Sequence, residues 1–391
     1  MPHAEPLPRP GDGIKIETVV PTAPDQPPKR GGRVGGDPAR SSGHPEPGAR
    51  AGHIFLRACR GEPTEYTPAW LMRQAGRYLP EYRAVRERLS LLDLCKTPEA
   101  AAEVTVLAVD RLGVDAAIIF ADILLLAEPL GVGLEFVGGE GPVIRHPVRA
   151  PADVDRLPVV DPLERVPFVF EAVRLARQAL AGRVPLIGFA GGPFTVASYL
   201  IEGHASQDFL ETKGLMHREP AAWHALMEKL AILTIGYLNG QIAAGADAVQ
   251  LFDSWIGCLA PEDYKRGVLP HVRRVIAGLA PGVPVIHFGT GTAGLLELMR
   301  EAGGTVIGLD WRVDLGQAWR RLGAGVGVQG NLDPALLLAA PAGIRQGVRA
   351  VLQSAAGRPG HIFNLGHGVL PATPWTHAKA MVEMVHEESG R

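Results

Sequence analysis

The sequence predicts an α/β protein whose parallel strands close a single (β/α)8 barrel of the TIM type, preceded by a disordered N-terminal extension. Three observations predict it. From Gly52 onward, short β-branched or apolar runs alternate with helix-length amphipathic segments, the pattern of successive βα units on a parallel sheet. About eight such runs are present, the number a closed barrel requires. Polar residues able to do chemistry gather just behind several of these runs, where the βα loops of a barrel converge.

The N-terminal stretch differs from the rest. Pro and Gly occupy roughly two positions in five of Met1–Arg50, without periodic apolar residues, so the stretch cannot bury enough surface to offset its ordering entropy. It lacks the apolar segment of a secretory signal, and Glu5, Asp12, Glu17, Asp25, Asp37 and Glu46 do not suit an acid-poor transit peptide. The expected division is a Pro/Gly-rich extension over 1–51 and a barrel domain over 52–391.

The expected strands are Ala69–Met72, Ala116–Phe120, Pro185–Phe189, Ala248–Phe252, Pro284–Phe288, Val306–Leu309, Gly325–Val328 and His361–Asn364. Helices fit between them. Leu295–Ala302 carries Leu295, Leu296, Leu298 and Met299 at core-facing spacing and ends in Gly303-Gly304, a C-cap signal. Ala222–Ala244 holds a helical period until Gly245 stops it. The longest gap, from Asp122 to Pro185, contains a Gly-rich piece from Gly131 to Gly139 that suits a hairpin inserted in a βα loop.

A formal net charge of -2 argues against a broad nucleic-acid footprint, so anion recognition must come from a local basic cluster. Cys59, Cys95 and Cys258 are scattered without C-x-x-C spacing, which indicates neither a disulfide framework nor a zinc knuckle and favours a reducing cytoplasm. No apolar run approaches the ~18 residues of a membrane span.

Polar residues behind the strands define a candidate site. The first strand yields Arg73-Gln74-Ala75-Gly76-Arg77, the second Asp122, the third leads to Thr195 and Tyr199, the fourth gives Asp253 and Ser254, and the eighth His367. Arginine forks pair with carboxylates in a bidentate fashion and stay charged. Arg83, Arg86 and Arg88 follow on a helical segment, and for Arg83 and Arg88 a solvated helix face is the simpler account. Asp122 by itself would be a helix N-cap; among arginines it becomes the leading substrate-facing carboxylate. Tyr199 could pack, and Ser254 could cap a helix. His367, in a Gly-His-Gly turn, gains little from packing.

Gly289-x-Gly291-x-x-Gly294, with Asp310 about 20 residues beyond Gly289, matches the dinucleotide fingerprint. Its place at the fifth unit, in a chain rich in Gly, favours an ordinary βα turn.

Several stretches resemble one family. Pro68-Ala-Trp-Leu-Met-Arg-Gln-Ala-Gly-Arg-Tyr-Leu-Pro-Glu-Tyr82 resembles the first signature of uroporphyrinogen decarboxylases, and Ile187-Gly-Phe-Ala-Gly-Gly-Pro-Phe-Thr195 the second. Ala248–Trp255, Gly308-Leu-Asp-Trp311, Gln329–Pro334 and Asn364–Gly368 follow in the family's order, so the likeness runs from about Gly52 to Glu388. It implies a homodimeric barrel carboxy-lyase that removes CO2 from the four acetates of uroporphyrinogen III, giving coproporphyrinogen III with no metal or organic cofactor. Asp122 would oppose charge on the pyrrole ring. Arg73, Arg77 and Arg86 would pair substrate carboxylates, with Arg73 also a candidate proton donor. Tyr199 and Ser254 would hydrogen-bond a carboxylate or orient Asp122, His367 would hold a propionate, and Gln74, Ala75 and Gly76 would add backbone contacts. The rival is a zinc- and corrinoid-dependent methyltransferase of the same superfamily, whose His-x-Cys ligand pair is here His287-Phe-Gly289.

Overall fold

A computed structural model describes residues 52–137 and 141–390. The expected extension over 1–51 lies outside the described residues. Seven parallel strands pair in the order β1 (Ala117–Ile118), β4 (Leu186–Gly191), β5 (Ala248–Phe252), β6 (Val285–Phe288), β7 (Val306–Gly308), β8 (Gly327–Gln329) and β9 (His361–Ile362). All seven were legible as apolar runs, with ends shifted by a few residues. They are buried along nearly their whole length, as expected of a parallel sheet covered by helices.

The expected first strand, Ala69–Met72, is reduced to a single parallel bridge between Ala69 and Phe363. It still joins the two ends of the sheet. The Phe363 amide donates to Pro68 O at 2.8 Å, the Trp70 amide to Phe363 O at 3.3 Å, and the Asp115 amide to Ala69 O at 2.8 Å. A regular ladder fails because side chains take its donors: Asp115 Oδ2 accepts from Ala69 N, Gln74 Oε1 from Leu71 N and Asn364 Oδ1 from Met72 N. Backbone geometry at this seam is therefore set by the nearby Gln74 side chain and by two others, Asp115 and Asn364, from distant parts of the chain.

The expected hairpin is present: β2 (Leu134–Val137) pairs antiparallel with β3 (Gly141–Ile144) between β1 and β4. The helix over Pro220–Ala244 ends at Gly245, whose φ of 121° no bulky residue adopts readily. The shorter helix Leu296–Ala302 stops at Gly303 in the same way. Inside the barrel, Trp70 Nε1 donates to Gln329 Oε1 at 2.9 Å, and Gln329 Nε2 to Gln250 Oε1 at 3.1 Å. Gln250 and Gln329 lie on β5 and β8, with two strands between them in the sheet order, so the bond crosses the interior. Among the described residues no helix is long and apolar enough to cross a membrane.

Candidate active site

The turn after the first strand is rigid. Gln74 is fully buried; its amide donates to Leu71 O at 3.0 Å, its Nε2 to Ala116 O at 3.2 Å, and its carbonyl accepts from Tyr78 Oη at 2.6 Å. A Cβ at Gly76 would lie 2.9 Å from Arg73 O, so this close turn admits only glycine comfortably. The tight packing holds Arg73 at φ 61°, a left-handed conformation that an arginine rarely adopts unless its surroundings impose it. Gln74 and Gly76 thus shape the turn, Ala75 is half-buried, and Arg73 and Arg77 are exposed.

Asp122 leaves β1 half-buried, with Oδ1 accepting the Leu124 amide at 2.8 Å. It does cap the following turn, but that contact engages one carboxylate oxygen and leaves the other for a ligand. Burial pushes its carboxyl above the usual range, against the Leu124 N–H and the charge of Arg73. Tyr199 is pushed up to about 12 by burial and then by the Asp122 charge, with Arg73 opposing. It stands on the helix Pro193–Glu202, and its ring stacks on Trp255 with centroids 4.0 Å apart.

His367 closes the group. Its imidazole is pushed down by burial and by the charges of Arg73 and Arg312. A Cβ at Gly368 would come within 2.6 Å of Arg73 Cδ, so Gly368 lets the arginine lie across this turn. Asn364 ties the two loops by accepting from Met72 N at 3.1 Å and Leu365 N at 2.8 Å, and the Val369 amide donates to Met72 O at 2.9 Å. The charge of Arg73 therefore acts on Asp122, Tyr199 and His367 alike.

The remaining candidates flank it. Arg86 is half-buried, with Nη1 donating to Leu89 O at 2.6 Å; its charge acts on Cys95, which Asp122 also influences. Arg83 donates to Arg77 O at 3.0 Å and so supports the turn. Ser254 lines a cavity of about 250 Å³ together with Trp255, the ring on which Tyr199 stacks.

Asp253 is completely buried. Its Oδ1 accepts from Thr195 N at 3.2 Å and Thr195 Oγ1 at 2.9 Å, and burial pushes its carboxyl to about 7. It is wedged against Gly192, where a Cβ would sit 2.4 Å from Asp253 Cγ. The Asp310 carboxylate, which a dinucleotide site would need for a ribose, instead accepts the Gly291 amide, the Arg312 amide and Arg312 Nη1. The polar-after-strand criterion singled out neither Arg312 nor Trp311, although both directly follow β7 and its Leu309-Asp310 exit. His287 on β6 is fully buried and pushed down to about 4. Among the described residues no three His, Cys, Asp or Glu side chains converge as metal ligands would.

Comparison with known proteins is consistent along the chain. A family model described as uroporphyrinogen decarboxylase (URO-D) matches residues 51–388. A curated uroporphyrinogen decarboxylase from Sorangium cellulosum (strain So ce56) is 58% identical over 333 residues, covering 85% of this chain and 95% of the relative. One from Carboxydothermus hydrogenoformans (strain ATCC BAA-161 / DSM 6008 / Z-2901) is 56% identical over 336 residues, covering 86% and 96%. Among solved structures, a methyltransferase from Methanosarcina mazei matches with a TM-score of 0.74 at 20% identity, covering 85% of this chain and 97% of that one. At that identity the likeness concerns the fold alone.

Proposed function

The chain belongs to the uroporphyrinogen decarboxylase family, and from that membership we propose how its barrel mouth performs the reaction. It is a carboxy-lyase of porphyrin biosynthesis: the four acetate arms of uroporphyrinogen III lose CO2 in turn and remain as methyls, giving coproporphyrinogen III.

Breaking the bond between an acetate carboxyl and its CH2 leaves an electron pair that needs a destination. A proton added to the adjacent pyrrole carbon makes the ring a cation, which receives that pair as CO2 departs. The exocyclic carbon then takes a proton to become a methyl, and loss of the first proton restores the pyrrole. The ring is its own electron sink, so this route asks the protein for geometry and charge.

Asp122 accepts the pyrrole N–H groups and opposes the cationic ring; the single supporting observation is Arg73, whose charge acts on Asp122, Tyr199 and His367 alike. Arg73 and Arg77 hold acidic arms, Arg86 extends that rim, and Arg73 is also a candidate proton donor. Tyr199 and Ser254 hydrogen-bond a carboxylate or orient Asp122, and His367 takes a propionate. Each charge-assisted bond contributes about 1.5–3 kcal/mol, enough in combination for binding. The ~8–23 kcal/mol typical of enzymatic rate enhancement falls mainly to positioning and the Asp122 counter-charge.

Purified protein incubated anaerobically with uroporphyrinogen III, followed by oxidation and carboxyl counting, tests this. Four-carboxyl product is expected, and recovery of the eight-carboxyl macrocycle alone contradicts it. We further propose that the chemistry resides in residues 52–391, that the chain works in the cytoplasm, and that two copies pair. Light scattering at the mass of one chain would refute the pairing.

A further inference from the structure

The arginines assigned above to the acidic arms all come from one stretch, Arg73 to Arg86, after the first strand. The substrate's carboxylates radiate around the whole macrocycle. In the closed order of the barrel, the first strand is followed by β1, β4, β5, β6, β7, β8 and β9, which sets the ends of β5, β6 and β7 across the mouth.

That opposite rim is built to receive an anion. Behind β5, β6 and β7 lies the cavity of about 250 Å³, bordered by Phe209, Ser254, Trp255, Thr290, Gly291 and Arg312. The Arg312 guanidinium lies over the Trp311 ring, 3.8 Å from its centroid, and Nη1 donates to Asp310 Oδ2 at 3.0 Å. These contacts fix the plane of the fork and use one nitrogen, while the side chain stays 54% exposed. Asp310 is only 1% exposed and holds two backbone amides besides Arg312, so its negative end faces inward. The charge of Arg312 also reaches His367, whose ring meets Trp311 edge-on at 6.1 Å, and helps push its imidazole down. Lys213 adds a second charge that acts on Cys258, which also lines the cavity.

We infer that Arg312, held on Trp311 beside this cavity, is a second carboxylate subsite. It takes an acidic arm of the macrocycle on the side of the mouth opposite Arg73 and Arg77, with the Ser254 hydroxyl as a neighbouring donor. Because this rests on the decarboxylase reading, the test must separate the two. Anaerobic CO2 release from uroporphyrinogen is measured for the full chain and for Arg312→Gln and Arg312→Lys, at two ionic strengths, alongside thermal unfolding.

Loss of a charge-assisted pair should raise KM for Arg312→Gln roughly tenfold or more, with kcat within about twofold and a weaker salt dependence of KM. Arg312→Lys, which keeps the charge but loses the planar fork, should fall between. Both variants retain the Arg312 backbone amide that Asp310 accepts. An unchanged KM in both overturns the subsite, as does a loss confined to kcat. Wild-type protein that releases no CO2 overturns the parent reading instead.

Discussion

Asp122 and Asp253, each behind a strand of this barrel, sit in opposite circumstances. Asp122, beyond β1, is half-buried, gives one oxygen to a backbone amide and faces the charge of Arg73. Asp253, directly after β5, is sealed, holds Thr195 by both its amide and its hydroxyl, and sits against Gly192. Both carboxyls are pushed up by burial. Asp122 is only half-buried and has a cation beside it that partly opposes the effect of burial, whereas Asp253 Oδ2 is buried without a partner. A carboxylate after a barrel strand is thus left open to a ligand or sealed as a brace according to what surrounds it.

The sharpest way to break the comparison is to neutralise Asp122. Asp122→Asn should keep the fold and lose on the order of 10²–10³ in kcat, the usual cost of removing one preorganised electrostatic group. Near-normal turnover would make Asp122 a second brace. Arg77→Ala should raise KM for the eight-carboxylate substrate roughly tenfold with little change in kcat, and an unchanged KM in steady-state assays would remove Arg77 from the substrate rim.

Smaller effects sharpen the other half. Gly192→Ala drives a methyl into Asp253 and should cost about 1–3 kcal/mol in denaturant unfolding. A neutral effect would mean that the brace is loose. Asp253 has a folded value of about 7 against an ordinary 3.8, so folding favours its neutral form. Stability from this group is fully present below about pH 4 and is lost as the pH rises towards 7. Asp253→Asn should flatten that part of the stability profile, and an unaltered slope would show that Asp253 does not titrate there.

Much of the barrel was legible because each interior strand is a short apolar run between turn residues, and burial on both faces leaves no other place for it. The seam was harder to read. Ala69–Met72 has strand-like composition, but Asp115, Gln74 and Asn364 divert its backbone donors, and the pairings with Asp115 and Asn364 span long sequence separations that leave no local pattern. The placement of Arg73, Asp122, Tyr199 and His367 behind strands was legible because strand ends are recognisable. Arg312 was not: its importance depends on which rim lies opposite Arg73 and on stacking against Trp311. Nor did Asp253 and Ser254, adjacent in sequence, reveal that one would be sealed while the other lines a cavity. That depended on Gly192, many residues away.

Single-turnover CO2 release from carboxyl-labelled uroporphyrinogen, with Asp122→Asn and Asp253→Asn compared under saturating enzyme, tests the division most directly. The account predicts that Asp122→Asn slows release at least ~100-fold while still binding substrate, and that Asp253→Asn stays within about tenfold of the wild type. Equal rates, or the reverse order, would contradict it.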